Sequence, residues 1–112
     1  MKTMTAYESA KYQTWRVWED LAQLSCEFDS EEFDAIVAEV GRAAGSGTMR
    51  GNLAEALWTL SEALRTFAQA MEAPTLELKN TRLGILAMAQ ALRHIRDDYT
   101  SKDRDYRAGR LF

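Results

Sequence analysis

Apolar residues recur at intervals of three and four along nearly the whole chain, the period of an α-helix with one buried face, and no run of β-branched alternation competes with it. Tyr7, Ala10, Thr14, Val17, Leu21 and Leu24 form the first stripe, with Trp15 and Trp18 beside it as core candidates. Thr5 and Glu8 stand at the spacing at which each side chain satisfies a free backbone N–H of the other, so a first helix is predicted from about residue 5 to Cys26. Asp29 and Glu32 repeat that spacing and Glu31 adds charge favoured by a helix N-terminus. A second helix is therefore predicted from about residue 30, burying Phe33, Ile36, Val37 and Val40 and fraying over Gly41 to Gly45.

In the third segment Asn52 is the expected cap, and Leu53, Leu57, Leu60, Leu64, Phe67 and Met71 alternate by four and three in a heptad seam that stops at Pro74. The fourth opens at Thr75 or Asn80 with Leu78, Ile85, Met88, Leu92, Ile95 and Tyr99 on one side and Leu83, Leu86 and Ala87 beside them, a face broad enough for two neighbours. Gly84 within it either permits close approach or marks a late helix start. Beyond Tyr99 the apolar pattern ceases, yet Arg93 with Asp97, Asp98 with Lys102 and Asp103 with Arg107 are opposite charges four apart, which carry the helix on to about Arg107. The expected fold is all-α, a small antiparallel four-helix bundle: residues 1–100 form the bundle and 101–112 a charged C-terminal extension of the last helix.

At 112 residues there is room for one core, and 46% hydrophobic with 28% charged residues is a globular balance. The net charge of −3 gives no global attraction for nucleic acid or anionic lipid. Tyr99 and Tyr106 interleave with basic residues after position 92, but four aspartates there oppose phosphate, so neither nucleic acid nor membrane is an expected partner. One cysteine and one histidine supply neither a disulfide framework nor a zinc site, no stretch has membrane-spanning character, and a reducing cytoplasm is the expected compartment.

The chemistry-bearing candidates are sparse. The Gly45–Gly51 loop leads into a helix N-terminus, where Arg50 adds a charge for an anion, but it lacks the Lys-Ser/Thr of a phosphate cradle, so an interhelical connection is expected and an anion site is the alternative. His94 is expected to pair with Asp98 on the helix surface, and Cys26, beside Glu27 and Asp29, has no neighbour that activates a thiolate. No catalytic group, cofactor or metal ligand is read from the chain.

Glu39 followed by Gly41-Arg42, and Asn52-Leu53-Ala54-Glu55 followed by Leu57-Trp58, faintly resemble the paired acidic motifs of all-α nucleotide pyrophosphohydrolases of the MazG type. In that family both helices present an acidic pair three apart. Here Arg42 and Asn52 stand at two of those positions, so the resemblance implies a relative that has lost its metal. The run Tyr99-Thr100-Ser101-Lys102-Asp103 resembles the export signal that follows the second helix of WXG-type secreted helical hairpins, with Met49-Arg50-Gly51 where the family has Trp-x-Gly in its turn.

Docking surfaces remain. The first fifty residues hold nine acidic against five basic side chains and residues 93–112 six basic against four acidic, so the molecule is polarised. Glu27, Asp29, Glu31 and Asp34, with Glu32 and Glu39, form an acidic patch suited to a basic partner. Trp58 follows seam residue Leu57 and shares a mixed, half-exposed face with Ala54, Ser61 and Arg65, and exposed Trp beside Arg is what interface hot spots are enriched in. The expectation is a non-catalytic α-helical interaction module, an adaptor, regulator or inhibitor, pairing as a homodimer in which the third helix, with Trp58 and Arg65, meets its own copy.

Overall fold

The computed structural model describes residues 5–27, 29–45 and 52–107, the last five by their backbone alone. Four helices follow one another, α1 (Ala6–Glu27), α2 (Glu31–Ala44), α3 (Leu53–Ala70) and α4 (Leu76–Arg107), and among the described residues there is no strand. Each helix packs on the two beside it in a closed ring, α1 on α2 and α4, α3 on α2 and α4, which is a small helical bundle. At 1.5 Å per residue the four measure roughly 33, 21, 27 and 48 Å. Short connections hold α1 flush with α2 and α3 flush with α4 at one end. At the other end α1 and α4 outrun the shorter pair, and the molecule is 52 Å long against 24 and 21 Å across.

The core follows the predicted stripes. Leu21, Phe33, Val40, Leu53, Leu57, Leu64, Ile85 and Leu92 are fully buried. Phe33 and Phe67 stack across α2 and α3 with ring centroids 5.4 Å apart. The leucine seam of α3 is consumed here, inside the subunit, so no seam is left on α3 for a second copy and pairing through this helix would rest on its flank at Trp58 and Arg65. Ser61, expected on that half-exposed flank, is buried, its hydroxyl donating to the Trp58 carbonyl at 2.7 Å.

Helix ends obey local hydrogen bonding. Glu8 N–H donates to Thr5 Oγ1 at 3.0 Å while Thr5 N–H donates to Glu8 Oε1 at 3.2 Å, the reciprocal cap read from the sequence. At α2 the cap is Ser30 rather than Asp29: Phe33 N–H donates to Ser30 Oγ at 3.2 Å, because the helix begins one residue later than the Asp29–Glu32 spacing implies. Asn52 holds the position before α3, but its side chain accepts no capping bond. Thr75 caps α4 through Leu78 N–H at 3.1 Å, which rules out the late start at Asn80.

Two glycines act differently from the expectation. The second helix does not fray at Gly41 but continues to Ala44, because the Trp18 indole lies directly over Gly41; a Cβ there would meet Trp18 Nε1 at 2.7 Å. Gly84 is interior to α4, and a Cβ on it would meet only Leu24 Cδ1 at 3.8 Å, ordinary contact.

Trp15 does not fill the core. It is 44% exposed beside Tyr12, their ring centroids 6.2 Å apart, since its position lies well round the helix from Thr14 and Val17. Leu83 and Ala87 likewise lie outside the buried face of α4. That helix runs unbroken through Arg107, and residues 108–112 lie outside the described residues.

Candidate functional site

Trp58 projects from the second turn of α3 toward α4 and is 41% exposed. An antiparallel helical hairpin pivoting on residues 71–75 sets position 58 level with about position 88, and within about two turns beyond it, on the side toward which a side chain leans from α3, α4 carries two arginines three apart. The Arg93 guanidinium carbon lies 4.2 Å from the centre of the Trp58 ring and that of Arg96 4.7 Å. Cations over an indole face gain from its quadrupole, with the guanidinium plane adding stacking. The fourth helix thus supplies the groups that hold Trp58.

One carboxylate organises the cluster. Glu62, one turn on from Trp58, pairs with Arg93 across the α3–α4 groove through Oε1 and with Arg65 on its own helix through Oε2 at 3.4 Å. Arg96 is steadied by Asp97, 3.2 Å from its Nε, though without the alignment of a hydrogen bond. Arg65, the sequence candidate, thus touches Glu62 rather than the indole, and the stacking arginines are two that no local spacing pointed to. Three guanidiniums against two carboxylates, Glu62 and Asp97, leave one net positive charge around an aromatic ring.

The acidic candidates sit toward the other end of the molecule. Glu27, Asp29, Glu31 and Asp34 are all exposed around the α1–α2 connection. Glu27 joins Glu77 in lining an open groove of about 440 Å³ with Leu24, Leu78, Asn80 and Thr81, so α4 extends the patch with an acid the sequence reading did not assign to it.

The remaining candidates are placed as follows. His94 contacts Gln90, 3.3 Å between side-chain nitrogens, while Asp98 pairs with Lys102 at 3.1 Å, so the expected His94–Asp98 pair is not formed. Arg93 likewise pairs with Glu62 instead of Asp97, because the groove offers it a carboxylate and a ring together. Cys26 is exposed at the end of α1. Glu39 is engaged by Arg42 on the α2 surface, and Glu55 is exposed. The described residues contain no group of three or more His, Cys, Asp or Glu able to hold a metal ion, and none of their helices is long and apolar enough to cross a membrane. Tyr99 is 5% exposed and packs on Tyr7 with centroids 6.4 Å apart. The Asp103 side chain and the loop from 46 to 51 lie outside the described residues.

Comparison with family models, with curated proteins and with solved structures returns no match.

Proposed function

We propose that this chain is a non-catalytic protein-docking module, an adaptor, regulator or inhibitor, whose contact surface centres on Trp58 with Arg65, Arg93 and Arg96. The observation that carries the reading is the half-exposed indole under two guanidiniums. Tryptophan and arginine are the residues on which interface energy concentrates, and here ion pairs to Glu62 and Asp97 hold them in place before any partner arrives. A surface with an aromatic centre and three guanidiniums to two carboxylates suits an acidic segment of a folded protein. The acidic end around Glu27, Asp29, Glu31, Asp34 and Glu77 is a second contact region for a basic partner in the same scheme. A reducing cytoplasm suits the single exposed thiol of Cys26.

The test is differential affinity capture from the source cells with wild type, Trp58→Ala, the Arg93→Gln/Arg96→Gln double variant, and Trp15→Ala as a control for loss of an exposed tryptophan. A protein retained by wild type and Trp15→Ala and lost from the other two supports the reading. Identical retention by all four contradicts it.

One observation favours a second reading, the WXG-type export signal. α4 is continuous from residue 99 to 103, which puts the two positions one turn apart on the stretch where α1 and α4 outrun the rest of the bundle. Four helices in place of a hairpin, and a Tyr99 ring packed on Tyr7, depart from that pattern. Secretion assays on Tyr99→Phe and Asp103→Ala in the source organism separate the readings: export lost with Asp103→Ala supports this one, and retention of wild type in the cells removes it.

A further inference from the structure

The outward faces of the first three helices all carry charge: Glu8, Arg16 and Glu19 on α1, Glu31, Glu39 and Arg42 on α2, Glu55 and Arg65 on α3. α4 differs. Directly opposite its buried line of Ile85, Ala89 and Leu92 lie Leu76, Asn80, Leu83, Ala87, Gln90 and His94, all exposed and none formally charged with His94 neutral. Leu76 is 74% and Leu83 63% exposed, the two most exposed large apolar side chains among the described residues. Their spacing is four, three, four, three and four, the alternation that keeps a seam facing a second helix. α4 is therefore patterned on both sides, once for its own bundle and once for something outside it.

We infer that this outer seam pairs with the same seam of a second copy, antiparallel, about a twofold axis level with Ile85. The choice of occupant rests on self-complementarity. In that register position i meets position 170 − i of the copy, and every layer is matched: Leu83 on Ala87, large against small; Asn80 on Gln90, two side-chain amides able to exchange hydrogen bonds; Leu76 on His94, apolar against a flat ring that Gln90 already holds by one nitrogen. A seam lined with carboxylates or ammonium groups would set like charge against like in such a pairing, and this face alone avoids it. The amide layers also select the register, because sliding by one heptad sets Asn80 on Leu83 of the copy and leaves buried amides without partners. Six layers over about 27 Å make a small contact, in the class of weak, concentration-dependent association. It goes beyond the docking role and uses a different surface: the Trp58 cluster lies in the α3–α4 groove and stays open in the dimer.

The experiment is sedimentation equilibrium across a micromolar concentration series, with Leu83→Glu, the milder Leu83→Gln, and Trp58→Ala. Leu83 is solvent-facing in the subunit, so both variants should stay folded with the helical content of wild type. The expected result is a monomer–dimer equilibrium in wild type and Trp58→Ala, weakened about tenfold or more by either Leu83 variant. For register, Leu83→Cys/Ala87→Cys in a Cys26→Ser background should oxidise to an interchain bridge that joins position 83 of one copy to position 87 of the other. A wild type that stays monomeric at 100 µM, a dimer indifferent to both Leu83 variants, or a bridge between two copies of position 83 would each overturn the inference. Loss of association in Trp58→Ala alone would also overturn it. Retained dimerisation with no partner captured would leave this inference standing and remove only the docking proposal.

Discussion

The Trp18 indole lies so close over Gly41 that a methyl group on that α-carbon would sit 2.7 Å from Nε1 and 3.0 Å from Cδ1. α1 and α2 approach each other at this point because one helix offers a flat ring and the other no side chain. Gly41→Ala gains about 1 kcal/mol of helix propensity but forces a partly buried indole out of its seat, and overpacking of this kind costs about 1–3 kcal/mol. Chemical denaturation should therefore show a net loss of roughly 1 kcal/mol. Trp18→Leu should abolish the clash, so that in its background Gly41→Ala becomes stabilising.

Gly84→Ala should behave in the opposite way. Its Cβ would meet Leu24 at 3.8 Å, an ordinary contact, while the α4 backbone gains the propensity of alanine. Stability should rise by about 0.5–1 kcal/mol in the same denaturation series. A loss at Gly84 equal to that at Gly41 would mean that α1 and α4 pack closer than described.

Trp58 and Arg93 should be energetically coupled in the isolated protein. A double-mutant cycle with Trp58→Ala and Arg93→Gln should return an interaction of about 0.5–1 kcal/mol, the range for a partly exposed cation on an indole. The same cycle between Trp58 and Arg65 should return close to zero, since Arg65 reaches Glu62 and not the ring.

Much of the fold was legible because the buried faces are continuous: Leu53, Leu57, Leu60 and Leu64 announce a helix and its core side without help from tertiary structure. Trp58 was legible as half-exposed for the same reason. Arg93 and Arg96 were not. Their role depends on which way α3 and α4 face each other, and their spacing to Asp97 and Lys102 offers equally good local partners that the folded chain partly declines. Trp15 misled because a tryptophan one residue from a stripe residue, Thr14, reads as core, whereas the roughly 100° that one residue turns about the helix axis places it on the rim. The outer seam of α4 was read as part of one broad apolar face, since Leu83 and Ala87 lie near Leu86 in sequence but on the opposite side of the helix from Ile85.

The overhanging pair of α1 and α4 should be held by its tyrosines and not by the charged end of the chain. Tyr99→Ala should cost about 2–3 kcal/mol, as expected for emptying a buried aromatic site. Deleting residues 101–112 should leave the melting transition cooperative and within a few degrees of wild type. Collapse of the transition on deletion would place part of that segment in the core.

The central claim, a docking surface at Trp58, is tested most directly by placing a photo-cross-linking amino acid at Thr59, exposed beside Trp58, and in a separate variant at Gln13, exposed on α1. Irradiation in the source cells should give one discrete adduct from position 59, of a mass that two copies of this chain do not account for. That adduct should be lost when Arg93 and Arg96 are both changed to Gln and be missing from position 13. No adduct at 59, or the same adduct from both positions and from the arginine variant, would contradict the claim.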